Sequence, residues 1–180
     1  MKTEEARRRF QQVLYDKKWK TFLRRSFPWR HIPFGEFVFA AGSMAMGNVH
    51  ADSDFDVIVG VRTGRIFTAR FFSVLTFGIL GWRRKKLTHH EAAADKICLN
   101  HFVAQAAYAL SPPYNLYWKR LYQNLVPLFG SHAKICEFWD ANASWMKGIP
   151  TYGDDLRHPR RDSSAFKRWI ARQLSGGAGS

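Results

Sequence analysis

"AGSMAMGNVHADSDFDVIV", residues 41–59, places three aspartates, Asp52, Asp54 and Asp56, close together in a chain that has only 14 acidic residues against 28 Lys and Arg. Like charges held near one another repel, so something positive has to sit among them. A metal ion, a neighbouring basic side chain and solvent are the three candidates.

The flanking residues read as strands. "EFVFAA", 36–41, is a short apolar strand ending at Gly42-Ser43, and "DFDVIVGV", 54–61, is a second. Alternation on the second puts Asp54, Asp56 and Ile58 on one face and Phe55, Val57 and Val59 on the other. Two carboxylates at i and i+2 lie about 6.6 to 7 Å apart along a strand. Such a pair can bracket divalent cations held about 3.5 to 4 Å apart for phosphoryl transfer. Mg²⁺ favours carboxylate oxygens, waters and phosphates. At Gly42 and Ser43 the chain turns without a bulky side chain, so backbone N–H groups and the Ser43 hydroxyl can approach a triphosphate closely. Gly47 helps the chain turn again.

The pattern Gly42-Ser43, ten residues from Met44 to Ser53, then Asp54-Phe55-Asp56-Val57 resembles the signature of the DNA polymerase beta-like nucleotidyltransferase superfamily. Ser53 matches the Ser-Asp-x-Asp form of its small bacterial members. "DKICLNHFV" and "YNLYWKRLYQNLVPLF" also look like a group of bacterial predicted nucleotidyltransferases, with no substrate implied. The resemblance implies an α+β fold, a small mixed sheet flanked by helices with a helical C-terminal part. It implies that Gly42 and Ser43 bind nucleotide phosphates and that Asp54 and Asp56 bind two Mg²⁺ ions, for which Mn²⁺ can substitute. The implied reaction moves a nucleoside monophosphate from a nucleoside triphosphate to an acceptor hydroxyl or phosphate, with release of pyrophosphate. A catalytically degenerate relative that binds nucleic acid or a partner protein is the alternative.

Two departures from that pattern matter. Met46 stands where small members often carry an arginine. A third carboxylate is expected from a neighbouring strand, and after Asp56 the next acids are Glu91 and Asp95. Asp95, at the start of a strand expected over 95–104, is the choice for catalysis and metal binding, with Glu91 behind it; Asn100 or His101 at that place would mean impairment or another base. Lys96 and Arg62 are candidates for phosphate contact. His89, His90 and Glu91 as metal ligands, His50 as a nucleotide contact, and Tyr114, Tyr117, Trp118 and Tyr122 as a base-stacking surface are weaker readings than exposed loop or packed core.

Outward from the signature, residues 3–25 read as a helix with Thr3 as N-cap and Phe10, Val13, Leu14, Trp19, Phe22 and Leu23 on its buried side. Pro28, Pro33 and Gly35 break the pattern after it. Helices are expected over 64–82, 113–128 and 131–146, and a short amphipathic one carries Phe166, Trp169, Ile170 and Leu174. The division expected is an N-terminal helix and loop (1–35), a nucleotidyltransferase core (36–110), a helical C-terminal part (111–150) and a basic, partly flexible tail (151–180).

A length of 180 residues suits one well-cored domain, and an apolar fraction of 46% with 15 Phe and 7 Trp excludes a disordered chain. The net charge of +14 favours a polyanionic partner, with RNA ahead of a small neutral acceptor. Cys98 and Cys136 form no CxxC, which predicts neither a zinc site nor a disulfide framework and suits a reducing, cytoplasmic setting. "MKTEEARRRF" does not read as a secretion signal. "FFSVLTFGILGW", 71–82, followed by "RRKK", falls short of the about 20 residues that span a bilayer. No transmembrane segment is expected, and a buried core helix is preferred there to contact with a membrane surface.

Overall fold

The computed structural model describes residues 2–85, 93–146 and 164–175. Helix α1 runs Lys2–Ser26 and is followed by a short 3-10 turn over Phe27–His31. Strand β1 (Gly35–Ala40), helix α2 (Gly42–Met46), strand β2 (Phe55–Val61), helix α3 (Ile66–Ile79) and strand β3 (Ile97–Ala104) come next. Helix α4 (Leu116–Gln123), strand β4 (Val126–Gly130) and helices α5 (His132–Asp140), α6 (Ala143–Met146) and α7 (Ala165–Ser175) complete the described chain.

The strands form one mixed sheet in the order β3-β2-β1-β4. β1 pairs antiparallel with both β2 and β4, while β2 and β3 are parallel. A parallel pair needs a crossover, and α3 supplies it. The molecule is thus an α+β protein with a four-stranded mixed sheet flanked by helices.

Strict alternation along β1 and β2 gives the sheet two buried faces. Val38, Ala40, Phe55, Val57 and Val59 pack against Trp19 and Phe22 of α1 and Ala69 and Phe77 of α3. Phe22 stacks on Phe55 with ring centroids 4.5 Å apart. Phe37, Phe39 and Ile58 on the opposite face pack against Leu121 and Tyr122 of α4, Phe138 and Trp139 of α5, and Trp145 and Met146 of α6. The aromatic packing on that face is dense: Phe37, Phe39, Tyr108 and Tyr122 all meet the Phe138 ring.

Three expectations are corrected here. The helix expected over 113–128 ends at Gln123, and residues 126–130 form β4 at the edge of the sheet, so the segment 111–150 contributes a strand as well as helices. Pro127 sits in that strand opposite Phe39, next to a register shift; an edge strand tolerates a residue without an N–H. The helix expected over 131–146 is two helices, α5 capped by the Ser131 side chain and α6. Finally, the packed side of α1 begins with the partly buried Leu14 and Tyr15: Phe10 and Val13 are exposed.

Candidate functional site

The site forms where β1 hands over to α2 and where β2 and β3 begin. Gly42 opens α2 with φ +60°, a left-handed conformation that favours glycine. The carboxylate of Asp56 rests against it so closely that a Cβ on Gly42 would stand 2.1 Å from Asp56 Oδ2. The Ala41 N–H donates to the Asp56 carbonyl at 3.0 Å, which locks the two chain segments together. Gly47 ends the short helix with φ +75° and, with Asn48, donates to the Ser43 carbonyl. Ser43 is half-buried beside Gly42 in the first turn.

Asp54 and Asp56 lie on the same face of the β2 segment, as alternation predicts. Asp56 pairs in register with Cys98 of β3. One ligand atom from each of Asp54, Asp56 and Cys98 lies within 4.8 Å of the others. Arg84 closes the group from the segment before β3, its Nη1 donating to Asp54 Oδ2 at 2.5 Å. Asp52, by contrast, is exposed. Positive charge among the aspartates therefore comes from a side chain for Asp54 and from solvent for Asp52.

Electrostatics follow from burial. Burial, and then the neighbouring Asp54 charge, raise the pKa of Asp56 above the usual carboxylate value; a hydrogen bond from Cys98 and the charge of Arg84 offset this in part. Burial, and then Asp56, push the Cys98 thiol up to about 12, so it is a neutral donor rather than a thiolate. Burial opposes the charge of Arg84, yet its hydrogen bond and attraction to Asp54 raise its pKa.

Asp95 is held elsewhere. Its carboxylate accepts from Lys18 Nζ at 2.9 Å, and the same ammonium donates to the Ser53 carbonyl at 2.8 Å. The Arg25 guanidinium donates to the Asp95 carbonyl. Among the described residues Asp95 is outside the Asp54, Asp56 and Cys98 group, so the neighbouring-strand position facing the aspartate pair carries a thiol in place of the expected acid. Asn100 is exposed, and burial lowers the pKa of the half-buried His101. Lys96 donates to the Gly81 carbonyl, and Arg62 is exposed. Glu91, His89 and His90 lie outside the described residues.

No family model, curated protein or solved structure matches the chain. What the site can do is read from its own chemistry.

Two carboxylates on one strand face, one of them cradled by a glycine that leaves it room, fit a hard divalent cation. A neutral thiol does not suit Mg²⁺, so Asp54 and Asp56 are the residues that would hold it. Arg84 already occupies Oδ2 of Asp54. His50 is exposed in the loop before β2, its N–H bonded to Ser53 Oγ at 2.9 Å. With Arg7, Arg8, Gln11 and Asn48 it lines a cleft of about 620 Å³ between α1 and that loop. Of the aromatic residues around α4, Tyr122 is buried, Tyr114 stacks on Trp145 at 4.6 Å and Tyr117 is exposed. Sequence reasoning missed Lys18, Arg84 and Cys98. The first two were indistinguishable from their solvated basic neighbours, and the third needed the register of a parallel strand.

Proposed function

We propose that this chain is a nucleotidyltransferase of the DNA polymerase beta-like kind, binding a nucleoside triphosphate with Mg²⁺ at Asp54 and Asp56 and transferring its nucleoside monophosphate to an acceptor. The observation that carries the reading is the fit of Asp56 against Gly42. The Gly-Ser turn and the Asp-x-Asp strand, separated by ten residues of sequence, meet in space as a phosphate-and-metal site requires. Asp54 and Asp56 would hold the metal, which would supply charge to lower the acceptor hydroxyl's pKa and to neutralise the leaving pyrophosphate. Gly42 keeps the approach clear of side-chain atoms. The N–H groups that open α2 and the Ser43 hydroxyl suit phosphate oxygens. Arg84, once it leaves Asp54, has a guanidinium suited to the same phosphates. An acceptor with a phosphate backbone such as RNA is supported by the net charge of +14 and by Arg7 and His50 in the neighbouring cleft, where Arg8 is paired with Glu4.

A second reading, a protein of this fold that binds its ligand without turnover, is favoured by the Cys98 thiol in the place of a third carboxylate and by Arg84 on Asp54. Calorimetric titration of each nucleoside triphosphate with Mg²⁺ into the native chain and into Asp54→Asn and Asp56→Asn tests both. Metal-dependent binding lost in both variants supports the site. Pyrophosphate release in the presence of RNA then separates enzyme from binder. Absence of binding to every nucleotide overturns the proposal.

A further inference from the structure

α3 was expected to be a buried core helix, and only one side of it is. Ala69, Ser73 and Phe77 are fully buried, at spacing i, i+4, i+8. Phe67, Phe71, Leu75 and Ile79 repeat the same spacing on the other side, and there Phe67 is 85% and Ile79 78% exposed. Residues four apart lie one above another on a helix, so these form a continuous apolar stripe about 18 Å long. Four large apolar residues in one row make a patch, which a scatter of single exposed hydrophobics does not.

The charge around the stripe identifies its occupant. From residue 57 to residue 90 the sequence contains no Asp or Glu, and it contains seven Lys and Arg. Exposed Arg62 precedes α3, Arg70 within it sets its guanidinium over the Phe102 ring of β3, and Arg83 and exposed Lys85 follow the helix. Cations therefore stand in the chain before and after the apolar row. A second copy of the chain would bring these like charges together, on a molecule already at +14. An anionic bilayer meets both features at once: headgroups take the guanidinium and ammonium groups, and the acyl boundary takes the side chains. No helix among the described residues is long and apolar enough to cross a membrane; α3 would lie flat, about 5 to 10 Å into the interface.

We propose that the exposed Phe67-Phe71-Leu75-Ile79 face of α3, with Arg62, Arg83 and Lys85, docks this protein on the surface of an anionic lipid bilayer. Sedimentation of the full chain with vesicles of phosphatidylglycerol mixed with phosphatidylcholine, and with vesicles of phosphatidylcholine alone, tests it. Binding at least about tenfold tighter to the anionic vesicles is expected, weakening as salt is added. Phe67→Ser with Phe71→Ser, and separately Ile79→Ser, should each reduce it about tenfold or more while leaving the circular dichroism unchanged, since all three side chains are exposed. Failure of the native chain to bind anionic vesicles overturns the proposal. So does binding that survives these substitutions, which would be attraction by charge alone, and so does a dimer in solution that the substitutions dissociate, which would make the stripe a self-association face.

Discussion

The Arg84 guanidinium lies 2.5 Å from Oδ2 of the Asp54 carboxylate, a member of the Asp54, Asp56 and Cys98 group. The pair is partly exposed on the arginine side and nearly buried on the aspartate side. Arg84 is therefore an internal counter-ion to Asp54, one that a metal at the proposed site would have to compete with. Arg84→Gln should tighten Mn²⁺ or Mg²⁺ binding by about tenfold, the effect of removing one competing charge-assisted hydrogen bond. Isothermal titration with the metal alone reads this directly. Unchanged or weakened affinity would mean that Arg84 does not occupy the metal position.

Gly42 is the position where local geometry and site chemistry depend on the same atom. Gly42→Ala would need an L residue at φ +60° and would drive a Cβ into Asp56. Backbone strain of that kind costs about 1 to 3 kcal/mol, and the displaced carboxylate should lose metal affinity as well. Chemical denaturation and metal titration of the same variant check the two effects. Loss of stability with full retention of binding would separate Gly42 from the site.

Much of the site was legible in the sequence because alternation in a strand is a strict rule. Asp54, Asp56 and Ile58 share a face, and Phe55, Val57 and Val59 enter the opposite core, as their spacing required. Gly42 could be read too, as a turn that excludes side chains. Register and pairing could not. Nothing local distinguishes Cys98 from Asn100 as the β3 residue facing Asp56, since both lie on one face of the strand. Lys18 and Arg84 sit in runs of basic residues, beside exposed Lys17, Lys20 and Lys85, with nothing local to single them out. β4 was hidden by Pro127 and by aromatic residues at helical spacing from 114 to 122, where α4 does form.

Lys18 is almost fully buried, and it ties the entry of β2 to the entry of β3 through Ser53 and Asp95. Asp95→Ala would leave its ammonium with one fewer partner in a buried place. Breaking such a pair from one side costs about 3 to 5 kcal/mol when both ions are buried, and less here because Asp95 is itself 35% exposed. A loss of about 2 kcal/mol is expected, together with unchanged metal affinity. Urea denaturation and metal titration decide between this positioning role and direct ligation; loss of metal binding in a folded variant would return Asp95 to the ligand set.

Asp56 has a pKa above the ordinary carboxylate value, chiefly because it is buried and then because Asp54 is near. Between the ordinary value and the raised one the folded chain binds more protons than the unfolded chain. Stability without metal therefore falls as pH rises through that window, and the cost of the buried charge persists at neutral pH. Asp56→Asn should raise the melting temperature of the metal-free protein at pH 7 while abolishing metal binding. Metal affinity of the native chain should fall on acidification at a higher pH than an ordinary carboxylate would give. A destabilised, metal-free Asp56→Asn would count against the electrostatic cost assigned to this residue.

Lys167 brings a second buried amine into the fold, from the far end of the sequence. Its ammonium donates to the Gly35 carbonyl at the start of β1 and lies 4.4 Å from the Phe129 ring centroid of β4. Ser164 fixes the start of α7 by donating to the Arg30 carbonyl. Burial lowers the Lys167 pKa to about 8, against a partial rise from Glu36. Because the folded value lies below the unfolded one, the docked helix carries the full desolvation cost below about pH 8. That cost is relieved as pH rises from there toward the ordinary lysine value. Amide exchange in α7 should slow, relative to its intrinsic rate, across this alkaline window. Lys167→Met, which keeps the length and removes the charge, should flatten the dependence. An α7 whose protection is independent of pH in the native chain would show that Lys167 does not control its docking.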